Sequence, residues 1–336
     1  MEKLIYSTSP HVKSKNTTKR IMLDVVIALL PACVVGVVYF GWRAAVTLIV
    51  ACLAACAAEL AYKLCQKKSF KTFWKEFDFT SCVTGLLIGM NMYQNTPFYV
   101  PALASVFAVV VVKMLFGGTG RNVVNPAIAG RIFATISFGP ALGASMSDLP
   151  SIGGISGGSV TAGATALGAL LTPDKVTCTL STFDLLLGTG VAGTIGETCK
   201  IALLLGGIYL VVRKVVDFRW PLVYIVVCGA FSVLMNYFVN DAFEISVLWT
   251  SVLSGGLILG AVFMATDYVT TPNTKIGNYV YFVLLGLLTA AMRYLTQGEA
   301  VSYCILLMNL FVPLIDKYIT RRPFGYVKEK TVKEGK

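Results

Sequence analysis

Two threonines in an uncharged stretch are the first residues whose setting invites chemistry. SGGSVTAGATALGAL, Ser156 to Leu170, holds Thr161 and Thr165 with no charge, no aromatic ring and nothing larger than leucine around them. Thr165 follows Gly163 and Ala164 and precedes Ala166, so its hydroxyl is open to an enzyme that draws the segment into its own active site. Attachment of a group through a phosphoester needs that access. A slack outer loop would have the same composition.

FGGTGRNVVNPAIAGR, Phe116 to Arg131, is the second candidate. Glycine-rich turns can cradle phosphates with backbone N–H groups. This one follows an apolar run rather than a strand and lacks the Gly-Lys-Ser/Thr ending, so it is neither a dinucleotide fingerprint nor a P-loop. Asn122, Asn125 and Arg131 stand where an apolar run begins, and Pro126 suits the first position of a helix. An Asn-capped joint between helices is the plainer reading. In GAVFMATDYVTTP, Gly260 to Pro272, Asp267 either caps a Thr-rich turn, pairs with a base or touches a cation path. Among ionisable residues in or near apolar runs, Glu59 lies deepest and is the better candidate for ion or proton handling, with Asp267 second. Asp24 and Asp316, near run ends, are expected to snorkel or cap.

These residues need elements to hold them, and composition names the solvent. Hydrophobic residues make up 56% and charged residues 13% of 336 positions, with a mean hydropathy of +0.74. Soluble domains are about one-quarter charged, so most of this chain belongs in lipid, where spanning segments must be helical to satisfy their own backbone. The apolar runs are 21–41, 44–63, 80–94, 97–116, 123–139, 199–212, 220–238, 246–265, 278–294 and 300–319. The N-terminal segment lacks the apolar core and cleavage site of a signal peptide.

Basic residues explain orientation better than a nucleic-acid partner does, although the net charge is +11. They collect at 3–20, Lys63 to Lys75, Lys113 to Arg121, Arg213 to Arg219, Lys275 and Lys317 to Lys336, with Arg43 and Arg293 as isolated exceptions. Ten helices put nearly all of these joints on one side, as the positive-inside rule requires. Both termini are then cytoplasmic and the stretch 140–197 lies outside. The nine cysteines include no Cys-x-x-Cys pair. Cys52 and Cys56 share a helix face, a spacing that favours packing over metal binding. The single histidine, His11, rules out a histidine metal or haem site within the apolar runs, and no metal ligand set is expected. TSCVTGLLIG from Thr80 also lies on TSVLSGGLIL from Thr250 with matches at Thr, Ser, Thr/Ser, Gly, Leu and Ile. Five helices apart, such a pair would belong to inverted repeats.

Taken together, SPHVKSKNTTKRIMLDVVIALLPA, FGGTGRNVVNPAIAGRIF, GAVFMATDYVTTP and ILLMNLFVPLIDKYITRRPFGY resemble the D subunits of Rnf complexes. Those complexes are membrane ferredoxin:NAD oxidoreductases that couple electron flow to Na⁺ or H⁺ transport. The B subunits of Na⁺-translocating NADH:quinone reductases share the Asn-Pro-Ala and Ala-Thr-Asp segments. The short N-terminus and early Ser-Pro-His favour the Rnf member, and the likeness covers nearly the whole chain. It implies an all-α polytopic protein of the prokaryotic cell membrane, with about ten transmembrane helices in two inverted five-helix repeats, similar to urea and ammonium channels. The corresponding division is a cytoplasmic segment 1–20, a first repeat 21–139, an outer loop 140–197, a second repeat 198–319 and a basic tail 320–336.

The same resemblance implies FMN esterified through its phosphate to Thr165, with Gly163 and Ala164 in register with a Ser/Thr-Gly-Ala-Thr pattern. Ala162 departs from that pattern, and Ala166 stands where Pro is common. GVAGTIGET, Gly190 to Thr198, resembles a family segment that supports this register. A second, riboflavin-like flavin is implied, with Gly118, Gly120, Arg121, Asn122, Asn125 and Arg131 as the residues to hold it. Implied partners are the A, B, C, E and G subunits of the complex, the lipid bilayer and a maturing flavin transferase. No nucleic acid is expected. Iron–sulfur cysteine spacing and an NAD-binding fold are missing from the sequence, so the chain would be one component of an oxidoreductase and not a complete enzyme. The alternative is a channel or secondary transporter of the same architecture, which needs no flavin loop.

Overall fold

A single glycine separates the first two long helices. Helix α1 (Thr18–Phe40) begins behind Thr17, whose Oγ1 accepts the Arg20 N–H at 3.3 Å. Gly41 turns the chain at φ +74°, a region open to glycine, and α2 (Trp42–Cys65) starts at once. The computed structural model describes residues 17–66, 70, 74, 77–145, 182–188, 193–240, 244–296 and 298–320.

Eleven further helices follow among the described residues: α3 (Thr80–Met90), α4 (Tyr99–Phe107), α5 (Pro126–Ser137), α6 (Gly139–Ser145), α7 (Thr182–Leu187), α8 (Lys200–Val212), α9 (Arg219–Asn240), α10 (Ser246–Leu253), α11 (Leu257–Leu259), α12 (Lys275–Thr296) and α13 (Val301–Tyr318). Two of them change winding rather than stop. Helix α4 runs into a π-helix over Ala108–Met114, and α11 runs into another over Gly260–Met264. No strand occurs among the described residues.

Each of the ten apolar runs holds a helix, but their lengths differ. Helices α1, α2, α9, α12 and α13 are long and apolar enough to cross a membrane. Helices α10 and α11 with its π-helix make a sixth candidate, bent by 65° at its break. Helices α3, α4 and α8 are apolar but shorter. The chain is thus a multi-pass membrane protein, all-helical among the described residues. The run 246–265 is not one helix, because Ser254 to Gly256 leave helical conformation and Gly255 sits at φ +66°.

Small residues set how close these helices come, as they do wherever lipid offers no hydrophobic drive. A Cβ on Gly85 would stand 2.7 Å from Cys52 Cα, so α3 lies nearly backbone to backbone on α2. Gly206 of α8 likewise meets the Ala28 carbonyl of α1. Asp24 is buried in that α1–α8 seam and accepts from Tyr209 at 3.0 Å and from Arg213 at 3.1 Å, so it pairs across helices rather than snorkelling. Asp316 does cap, taking the Asn273 N–H at 3.0 Å.

Candidate functional site

Three polar places inside the helices account for most of the residues singled out above. The first surrounds Glu59. One turn after Cys56 on α2, its carboxylate is 1% exposed, and Lys63 on the next turn approaches it at 2.7 Å. The π winding of the α4 extension carries Lys113 into the same space, 3.3 Å from Glu59 and 3.0 Å from Ser81 Oγ. Lys113 also donates to Thr80 Oγ1, and Ser81 donates to Glu59. Asp78 completes the start of α3 by accepting the Thr80 N–H at 3.1 Å and the Thr119 hydroxyl at 2.8 Å. Burial works against its ionisation, but the bonds from Thr80 and Thr119 and the charge of Lys113 hold its pKa below the ordinary carboxylate value. Glu59 therefore lies where the sequence put it, deep and enclosed, with two cations and a hydroxyl around it.

The second place is a pocket of about 120 Å³ between the Asn-Pro-Ala and Ala-Thr-Asp segments, lined by Gly120, Asn122, Asn125, Thr80, Lys113 and Asp267 among others. It has room for about four water molecules. Asn125 caps α5 by accepting the Ala127 N–H at 2.9 Å and ties the two segments together by donating to the Met264 carbonyl at 3.0 Å. Asn122 lies against Asp267. Burial raises the pKa of Asp267 above its ordinary value, opposed by bonds from Val269, Thr270, Asn122 and Tyr268. Asn125 is thus a helix cap, the plainer of its sequence readings, and it also joins two distant segments of the chain. Gly118 and Arg121 sit at the outer edge of this turn, with Arg121 exposed.

Arg131 is not part of that pocket. It sits six residues along α5, roughly 9 Å of helix rise, and donates to Asn91 Oδ1 at 2.7 Å and to Glu197 at 3.3 Å. With Tyr93, Thr135, Leu142, Thr194, Glu299 and Ser302 it lines the third place, a polar cleft of about 270 Å³. Thr194 Oγ1 and Ser302 Oγ have no partner there, although Thr194 is 2% and Ser302 4% exposed. Buried hydroxyls without partners are costly and normally find one.

Behind the cleft lies a chain of ionised groups that the sequence did not single out as a unit. Lys200 donates to the Glu197 carbonyl and, at 2.7 Å, to the Gly255 carbonyl. Glu299 accepts the Gly256 N–H at 3.2 Å. Arg293, 1% exposed, donates to the Ser251 carbonyl at 2.8 Å and to Glu299 at 3.2 Å. Three cations (Arg131, Lys200, Arg293) thus meet two carboxylates (Glu197, Glu299) around the break in the α10–α11 pair. Discontinuous helices in membranes gather charges in this way, because the break frees backbone groups that only polar partners satisfy. Gly255 and Gly256 lie at the break, but nothing in the sequence tied Lys200 or Glu299 to it.

Thr161, Gly163, Ala164 and Thr165 lie outside the described residues. Gly139, Leu142 and Gly143 of α6, the last described helix before that segment, line the cleft.

Fold and site together define a multi-pass helical membrane protein whose ionised groups gather around interrupted or rewound helices. The chain belongs to the NQR2, RnfD, RnfE family, whose model matches residues 5–325. It is 36% identical over 330 residues to the D subunit of the Na⁺-translocating ferredoxin:NAD⁺ oxidoreductase complex of Acetobacterium woodii, covering 97% of each chain. It is 35% identical over 333 residues to the D subunit of the proton-translocating ferredoxin:NAD⁺ oxidoreductase complex of Clostridium ljungdahlii, covering 95% of each. The D subunit of the ion-translocating oxidoreductase complex of Marinobacter nauticus is 30% identical over 344 residues, with 97% of each covered.

Proposed function

We propose that this chain is the D-type membrane component of an ion-translocating ferredoxin:NAD⁺ oxidoreductase, and that it relays electrons through FMN esterified to Thr165. The observation that carries this reading is the polar cleft beside α6, with its two partnerless hydroxyls and an arginine at its wall. When bound, a flavin takes up two electrons and releases them singly, which suits a relay between one-electron carriers. The protein's share is position, burial and charge. Asn91, Arg131, Thr194 and Ser302 are the described residues that would hold the ring. The surplus positive charge behind them favours a group that gains negative charge on reduction. Oxidation of ferredoxin and reduction of NAD⁺ fall to the other Rnf subunits (A, B, C, E and G), and a flavin transferase loads Thr165.

The expected second flavin belongs to the pocket between the Asn-Pro-Ala and Ala-Thr-Asp segments, where Gly120, Asn122 and Asn125 would hold it. Gly118 and Arg121 stand at its edge, and Arg131 serves the other cleft. At about 120 Å³ that pocket must widen to admit a ring system. Electron transfer toward the outer cleft moves charge across the bilayer, and compensating cation movement would use the Glu59–Lys113 cluster, with Asp267 near its mouth. The relatives' names include both Na⁺ and protons at nearly equal identity, so overall likeness does not select the ion.

The architecture we infer is two inverted five-helix repeats with both termini cytoplasmic. In support, α1 packs on α8 and α5 packs on α13, the pairs that a pseudo-two-fold axis brings together. The deciding experiment is in-gel flavin fluorescence of the chain produced with a flavin transferase. Wild type should fluoresce and Thr165→Ala should not. A fluorescent Thr165→Ala band moves the site to Thr161, and a dark wild-type band favours the channel or transporter.

A further inference from the structure

Helices α2 and α3 meet at three thiols. Cys52 and Cys56 lie one turn apart on α2, and Cys82 is the third residue of α3. The three Sγ atoms all stand within 4.8 Å of one another, and Cys56 and Cys82 are 3.3 Å apart. Gly85, one turn beyond Cys82, permits this. Any side chain there would meet Cys52 Cα at 2.7 Å and push the helices apart. All three cysteines are free and half-buried, so an ion can reach them.

Three convergent sulfurs are a soft donor set, which favours Cu(I) or Zn²⁺ over hard cations. Sulfurs bonded at about 2.3 Å to a central ion and spread at 120° stand about 4 Å apart, so small rotamer adjustments would bring these three into place. Zinc takes four ligands in a structural site. Among the described residues no fourth His, Cys or carboxylate joins the group. The adjacent Glu59 is already engaged by Lys63, Lys113 and Ser81.

We propose that Cys52, Cys56 and Cys82 form a trigonal thiolate site for one Cu(I) ion. Binding makes three S–Cu bonds and releases the thiol protons to water, with no change in oxidation state. The site uses neither the flavin threonine nor a ligand from the Glu59 cluster, and it would give Cys52 and Cys56 a role besides packing.

The test is a Cu(I) titration of the full-length chain, purified in detergent under anaerobic, thiol-reducing conditions, against a coloured Cu(I) chelator. One equivalent should bind with a sulfur-to-copper ultraviolet band. Cys82→Ser should weaken binding by more than about 100-fold, since even indirect partners of a metal ligand are worth 10- to 100-fold. Cys65→Ser, on the same helix outside the cluster, should bind as wild type. Alkylation of the native chain gives a check without mutation, because Cu(I) should protect these three thiols and leave Cys65 reactive. Binding unchanged in Cys82→Ser, no protection of the three thiols, a Cys56–Cys82 disulfide in the isolated chain, or tighter binding of Zn²⁺ at the same thiols would each overturn the assignment.

Discussion

Lys113 and Arg293 are both buried bases that bond a serine and a carboxylate, and they are held in opposite ways. Lys113 meets side chains: the hydroxyls of Thr80 and Ser81 and the carboxylate of Glu59, around a helix that stays intact. Arg293 meets backbone, donating through Nη1 to the Ser251 carbonyl near the end of α10, while Nη2 faces Ser254 and Glu299 and Nε has no partner among the described residues. The difference follows from the donors. An ammonium is a compact charge with three rotatable donors, suited to a ring of oxygens on two neighbouring helices. A guanidinium presents a rigid fork, which matches carbonyls freed by a break and the carboxylate beside them. A Lys–hydroxyl–Glu cluster can exchange partners without unravelling anything, whereas the Arg cluster is what keeps the broken helix satisfied. Change is therefore tolerated around Lys113 and penalised around Arg293.

The sharpest way to break this contrast is Arg293→Met. It leaves the partly buried Glu299 without its nearest cation and the Ser251 carbonyl without its donor, a loss of about 3–5 kcal/mol. Thermal unfolding in detergent should show it as a large drop in Tm or as failure to accumulate. Lys113→Met should cost less, about 1–3 kcal/mol, because Lys63 still covers Glu59 at 2.7 Å. Equal losses in the two variants would erase the distinction. Glu59→Gln should change stability by only about 1 kcal/mol. In proteoliposomes holding the assembled complex, it should lower cation uptake by roughly tenfold or more, equivalent to about 1.4 kcal/mol of barrier. Unchanged uptake would return Glu59 to a structural role. Asp24→Asn sets the lower end at about 0–1 kcal/mol, since Arg213 is one-third exposed and water replaces the lost partner.

Much of the fold was legible because a helix in lipid is a one-dimensional signal. The runs at 21–41 and 44–63 became α1 and α2 within a few residues, and Asn125–Pro126 capped and opened α5 as their types suggest. Apolar content cannot say where a run breaks, so 246–265 read as one helix although Ser254 to Gly256 interrupt it. It also cannot say which helices touch. Arg293 looked like a stray charge at odds with the loop pattern and proved to be buried. Arg131 looked like a neighbour of Asn125, yet helix rise carries it to a different cavity. Cys82 carried no signal beside Cys52 and Cys56, because only the packing of α3 on α2, close at Gly85 and Gly89, brings it there. The segment with Thr165 rests on its family likeness, outside the described residues.

The π winding at Ala108–Met114 has a consequence for how this protein tolerates changes in length. Relative to an α-helix, the wider turn absorbs an extra residue and rotates all that follows by roughly 100°. It therefore acts as a phase shifter on the helix that carries Lys113. Deleting one residue from this stretch would keep the helix continuous and just as apolar, yet turn the ammonium away from Glu59 and Ser81. Length itself is thus part of the address of that charge, and a single missing valine would misdeliver it.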